Sequence, residues 1–153
     1  MTRQPKQVHI FLYRQREHGY EYAVFQRTDM PLCWQGICGG LEDDETLEEG
    51  ARREIFEEAG IKEFQPLYPL DSISYLPDTI FSAVARSHWG KDIIVVPMYF
   101  FAMPFDGNIC LSREHTDVKW MPYDEACGLI YYQDQKTALY ELNERLLRNN
   151  LYR

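Results

Sequence analysis

The sequence predicts an α/β sandwich, a mixed sheet with helices on both of its sides. Runs of β-forming residues lie before and after a well-capped helical segment at 47–59, and a second amphipathic segment at 134–147 carries a stripe able to cover a sheet face. The chain has 153 residues, which fits one domain with one buried core, and no repeat, linker or low-complexity stretch divides it.

Gln7 to Tyr13 and Tyr20 to Gln26 are rich in β-formers and flank the polar stretch RQREHG, which predicts an antiparallel hairpin. Asp29 to Cys33, with Pro31, reads as a loop. Trp34 to Cys38 reads as a short strand ending at Gly39 and Gly40, where positive φ or a close backbone approach becomes accessible. After the acidic turn Glu42 to Glu45, Thr46 and Glu49 make a capping box, and Gly60 stands where a helix C′ glycine belongs. Ser72 to Leu76, Ile80 to Arg86, Ile93 to Met103 and Asp117 to Met121 read as strands. Tyr123 to Ile130 and Asp134 to Leu147 read as helices, the latter with Ala138, Leu139, Leu142, Leu146 and Leu147 on one stripe.

Apolar residues make up 45% and charged residues 26%, the values of a globular chain. The apolar run from Ile93 to Pro104 is too short to span a bilayer, and MTRQPKQ lacks the apolar core of a secretory signal, so no membrane association and a cytoplasmic location are expected. Cys33, Cys38, Cys110 and Cys127 form no CxxC pair and are expected to be reduced thiols. A net charge of −8 with no basic run disfavours a nucleic-acid polymer as partner. It remains compatible with a small phosphorylated substrate when divalent cations stand between carboxylates and phosphates. The 14% aromatic content would tolerate a homodimer interface without demanding one.

On a helical wheel, Leu47, Ala51, Ile55 and Ala59 form an apolar stripe from about 0° to about 120°, with Glu54 and Glu58 at about −20° and about 20°, and Glu57 near −80°. Carboxylates gathered at the core-facing edge repel one another and resist desolvation unless cations or protons neutralise them. An all-oxygen set of this kind suits Mg²⁺, with Mn²⁺ as a substitute. Taken alone, the string could also be a surface helix in which Glu49 pairs with Arg52 or Arg53.

Read together, Gly39, Glu45, Arg53, Glu54, Ile55, Glu57, Glu58, Gly60 and Ile61 spell GX5EX7REUXEEXGU, with U a bulky aliphatic. This resembles the Nudix box in full. Seven fixed identities at roughly 7% usage each, plus two aliphatic positions, give a chance match on the order of one in a billion per window. The resemblance implies an α/β/α sandwich carrying a loop–helix–loop catalytic motif. It implies that Glu54, Glu57 and Glu58 bind metal, that Arg53 orients a helix carboxylate, and that Glu45 braces the loop. The backbone carbonyl of Cys38, beside the substrate, is a further implied ligand. Asp44 departs from the family, many of whose members have glycine there, and Cys38 precedes a shifted Gly-Gly pair.

Beyond the box, WQGICGGLEDDE, FQR and REHTDVKW resemble the dihydroneopterin triphosphate and dATP pyrophosphohydrolase branch. This implies that Arg27 and Lys6 contact substrate phosphates and that Glu114 supplies a further carboxylate to the metals. Trp34 would stack on a base or pterin, or else pack in the core or a loop. His115, beside Glu114, would assist proton transfer or be structural, and His9, His18 and His88 are expected to be structural or solvated. The implied activity is Mg²⁺-dependent hydrolysis of a diphosphate linkage in a nucleoside triphosphate or dihydroneopterin triphosphate, releasing pyrophosphate, with Glu57 or Glu114 as base. The alternatives are a nucleotide-sugar or dinucleoside polyphosphate hydrolase, or a catalytically silent nucleotide-binding domain. RNA cap removal is disfavoured by the acidic balance.

Overall fold

A computed structural model describes residues 2–152. Its central strand is β1 (Arg3–Arg16), whose side chains alternate between two buried faces. Val8, Ile10 and Leu12 point to one side and Phe11 and Tyr13 to the other, as the two-residue period of a strand requires. Both faces must therefore be covered.

The first is covered by α1 (Leu47–Ala59), through Ala51, Ile55 and Ala59. The second is covered by α4 (Gln133–Leu147), through Ala138, Leu139, Leu142 and Leu146, while Leu147 turns to solvent. The short α3 (Tyr123–Leu129) adds Ala126 to that second layer.

The sheet has seven strands. β2 (Gly19–Arg27) follows β1 in a hairpin, β3 (Trp34–Gln35) pairs with β2, and β4 (Ile37–Glu42) returns along β1. β5 (Tyr68–Pro77), β6 (Val95–Pro104) and β7 (His115–Met121) complete it. The order is β3-β2-β1-β6-β5, with β4 also on β1 and β7 also on β2, and β1 with β6 is the parallel pair in this mixed sheet. Helices on both faces of such a sheet give the predicted sandwich. Among the described residues no helix is long and apolar enough to cross a membrane.

Four expectations are corrected. The segment 34–38 is not one strand ending at the glycines: it breaks at Gly36, where a Cβ would lie 2.5 Å from the Ile10 carbonyl oxygen, and β4 then runs through Gly39 and Gly40 without positive φ. The segment 80–86 is not a strand. It forms a 3-10 turn at Asp78–Ile80 and one helical turn, α2 (Ala83–Arg86), because the Ser82 hydroxyl accepts the Ala85 N–H and caps it. The last apolar strand begins at Val95, not Ile93, while β5 is longer than 72–76.

The capping box forms as expected: Thr46 Oγ1 accepts the Glu49 N–H at 3.1 Å, and Glu49 Oε1 accepts the Thr46 N–H at 3.0 Å. This use of Glu49 replaces its pairing with Arg52 or Arg53. Gly60 closes the helix in the left-handed region, at φ 69°.

Asp44, in the turn that delivers the chain to α1, also adopts a left-handed conformation, at φ 63°. Aspartate tolerates this region better than most residues, and a β-branched side chain does not. Asp44→Val is expected to lower unfolding free energy in urea by about 1–2 kcal/mol, with Asp44→Gly near the parent. Equal stability of the valine variant would show that this turn relaxes freely.

Candidate active site

The helix α1 turns Glu54 and Glu58 toward the sheet, each only 4% exposed, and leaves Glu57 at the rim. One oxygen from each of the three carboxylates lies within 4.8 Å of the others. Helical spacing makes this possible, since residues three and four apart share a face. The space is provided by β4: a Cβ on Gly39 would fall 2.2 Å from the Glu54 carboxyl carbon. Any side chain at position 39 would therefore occupy the volume of that carboxylate.

One guanidinium organises the cluster. Arg53 Nε and Nη2 donate to the two oxygens of Glu45 at 2.7 and 2.9 Å, and Nη2 also reaches the Gly40 carbonyl at 2.8 Å. Its Nη1 donates to Glu54 at 2.8 Å and to Glu57 at 3.2 Å. Glu45 in turn accepts the Glu42 N–H at 2.6 Å, so loop and helix are joined through one side chain. The Arg53 hydrogen bonds hold the Glu45 carboxyl below the usual carboxylate range.

Glu58 is held from the other side. The Ser112 hydroxyl donates to Glu58 Oε2 at 2.7 Å and accepts the Glu114 N–H at 3.2 Å. His115 Nδ1 lies 3.2 Å from the same Glu58 oxygen, but at an angle that makes no hydrogen bond, and burial lowers its pKa. A near-neutral imidazole there adds little charge to the cluster.

Burial pushes the Glu54 carboxyl up to about 7, with Glu57 and Glu58 adding to the effect and Arg53 opposing it. Glu114 is raised as well, by burial first and by Glu58 second. A site that makes its own carboxylates resist ionisation, supplies only hard oxygen donors and keeps room beside Gly39 fits a small divalent cation. The Cys38 thiol is pushed up to about 12 by burial and by Glu54, so it stays protonated and is no soft ligand at neutral pH. His9, held down to about 3 chiefly by burial, is a neutral core residue whose Nε2 accepts the Gly36 N–H at 3.0 Å.

Two clefts meet at these residues. One, of about 360 Å³, runs past Gly39, Gly40, Glu54, Glu57 and Arg3 beneath the 80–85 segment. The other, of about 550 Å³, is lined by Arg27, Thr28, Asp29, Gln35 and Arg113, and Gln7, Cys38 and Glu114 line both.

Of the residues singled out in the sequence, Arg27, Cys38, Arg53, Glu54, Glu57, Glu58 and Glu114 are brought together here. Arg27 lines the larger cleft but is held by Asp29, at 2.9 and 2.6 Å. Two side chains are placed elsewhere. Trp34 is buried in the core beneath α3 and α4, with Lys119 Nζ 5.1 Å from its ring, so it packs where a stacking surface had been the alternative. Lys6 is exposed and lines neither cleft, because the β1–β4 pairing shifts register between Arg3 and Gln7 and presents those two residues instead. Sequence reading missed Arg3, Gln7, Gln35 and Ser112, none of which belongs to a spaced motif.

Comparison with known proteins gives the family and the fold. The sequence profile described as NUDIX domain matches residues 3–145. The asymmetrical bis(5'-nucleosyl)-tetraphosphatase of Sus scrofa is 31% identical over 121 residues, covering 79% of this chain and 77% of that protein. A candidate NUDIX hydrolase from Listeria monocytogenes superposes with a TM-score of 0.84 at 38% identity, over 96% of this chain and 97% of that one. The dihydroneopterin triphosphate pyrophosphohydrolase of E. coli shares the fold, with a TM-score of 0.75 at 21% identity over 95% of this chain and 99% of the other.

Two outcomes are expected from the geometry. Gly39→Ala should displace the Glu54 carboxylate and weaken Mn²⁺ binding at least ~10-fold by titration, and unchanged affinity would refute the space argument. The Glu54 carboxyl sits near 7 against an ordinary 4.5, so its protonated form favours the fold and that contribution fades as pH rises through this window. The Tm increase produced by Mg²⁺ should therefore grow from pH 5 to pH 8, as proton competition ends. A pH-independent increase would rule out Glu54 as a ligand.

Proposed function

The chain belongs to the NUDIX family of hydrolases, and on that premise we propose that it hydrolyses a diphosphate linkage in a small phosphorylated molecule with the help of Mg²⁺. The observation carrying this reading is the set Glu54, Glu57 and Glu58, converging within 4.8 Å, beside a second polar cleft large enough for an organic group. Glu54, Glu57 and Glu58, with the backbone carbonyl of Cys38, would hold the cation, which leaves Glu114, implied by the resemblance as a further ligand, free to take a proton. When bound it would neutralise phosphate charge and make a water more acidic.

The chain's own residues do the rest. Arg53 keeps Glu54 and Glu57 in place and offsets their mutual repulsion. Arg3 and Arg27 line the two clefts and offer positive charge to the substrate phosphates. Glu114 borders both clefts and is our choice over Glu57 as general base, because Glu57 is already engaged by Arg53. In the triphosphate reading, water oxygen bonds to the α-phosphorus, its proton passes to Glu114, and the bridging P–O bond breaks. The products are a monophosphate and pyrophosphate.

The substrate we favour is a nucleoside triphosphate or dihydroneopterin triphosphate, and the whole chain acts as one such unit in the cytoplasm. The 31% identity to a bis(5'-nucleosyl)-tetraphosphatase supports a second reading, a dinucleoside polyphosphate. Phosphorus NMR of the products separates them, since pyrophosphate marks the first and a mononucleotide pair the second. A domain that binds nucleotide without turnover would yield neither. Glu58→Gln, which keeps shape and removes one charge, should lower kcat by at least ~100-fold at saturating Mg²⁺. Near-normal turnover of that variant would sink the metal assignment.

A further inference from the structure

The larger cleft contains a side chain placed to read the organic half of a ligand. Gln35 follows Trp34 on the two-residue strand β3 and is only 7% exposed. Its amide oxygen accepts the Cys33 thiol at 3.7 Å. Among the described residues the amide nitrogen has no hydrogen-bond partner, it is not sealed from solvent, and the side chain borders the cleft, so the N–H donors face the cavity. Water can reach this donor in the open cleft, and a ligand that covers it must offer an acceptor in exchange.

The neighbouring groups are mostly committed. Arg27 and Asp29 hold each other, and the Thr28 hydroxyl donates to the Arg113 carbonyl. Gln7, which lines both clefts, has its amide nitrogen turned toward Gly40 at the metal end. No exposed aromatic ring lines the cleft, so recognition there rests on hydrogen bonds more than on stacking.

We infer that Gln35 is a specificity-determining residue, whose amide N–H donates to an exocyclic carbonyl of a heteroaromatic ring seated in the larger cleft, with Arg27 and Glu114 left to the phosphate end. The inference deepens the proposed function and rests on it for the phosphate end of the substrate. A carbonyl oxygen is favoured over a ring nitrogen because its two lone pairs can meet both the Gln35 donor and a second donor or water in the same cleft. A ring carrying an amino group at that position would set donor against donor and leave the amide unsatisfied.

The test compares two probes that differ at this group, the 5'-monophosphates of inosine and of purine riboside, the latter lacking the carbonyl. NMR titration of the full chain should show the inosine probe binding about 10-fold more tightly. In Gln35→Met, similar in length but without the donor, the preference should fall below about 3-fold. In Gln35→Glu, which keeps the shape and presents acceptors, it should vanish or reverse. Unchanged preference in both variants, or equal binding of the two probes by the parent, overturns the inference. Hydrolysis of the corresponding triphosphates gives an independent readout, in which kcat/KM should follow the same ratio. If no triphosphate is hydrolysed while the binding preference holds and responds to Gln35, the hydrolase reading fails and this inference stands.

Discussion

Among the described residues Arg53 is the one cation in direct contact with Glu45, Glu54 and Glu57, and it is also bonded to the backbone of β4. Gathering that many carboxylates at the edge of a core is unfavourable by itself, because each loses water and each repels the others. A guanidinium offers five N–H donors in a fixed plane, so a single side chain can meet several acceptors in set directions. A lysine ammonium could supply the same charge without that geometry. The arrangement nonetheless leaves more negative than positive charge, with Glu58 held instead by the neutral Ser112. That residual negative charge is the feature on which the proposed divalent-cation site rests.

The site's other constraint is spatial. The strand β4 packs against β1 and the helix, and the glycines at its start and within it are chosen by what lies opposite: His9 and the β1 backbone at Gly36, just before the strand, and the Glu54 carboxylate at Gly39. In neither case is positive φ the reason. The glycines are needed because there is no room for a Cβ. This links the alternation of β1, the packing of α1 and the chemistry of the cleft into one geometric condition.

Local sequence rules read α1 well. Thr46, Glu49 and Gly60 mark its ends, and the wheel placed Glu54 and Glu58 beside the apolar stripe, which is where they are buried. The larger cleft was legible only in part, because its walls come from β1, β2 and the turn after it, β3, β4 and residues 113–115 at the start of β7, and no local pattern records their meeting. Lys6 and Arg3 illustrate this: three residues apart, they are separated by an irregularity in register that only strand pairing reveals. Trp34 could equally have been stacking surface or core, and the parallel bridge to Ile130 together with α3 settled it as core. The 80–86 segment misled because Ile80, Phe81 and Val84 have strand-like composition, yet the Ser82 hydroxyl caps the start of a helical turn there.

The two connections on either side of β6 differ in how firmly they are tied. The one after β6 is anchored at the end of α1, where the Cys110 N–H donates to the Ala59 carbonyl at 2.9 Å, and again at Ser112. Before β6, the segment carrying α2 leans on β1 through Trp89 Nε1 and the Arg3 carbonyl, at 2.8 Å. Insertions and deletions should therefore accumulate unevenly among descendants of this sequence. Length change after β6 would shift a carboxylate of the hydrolytic centre, whereas length change before β6 would remodel a cleft wall and leave that centre in place. The β5–β6 connection is thus where new substrate preferences can evolve with least risk to the chemistry.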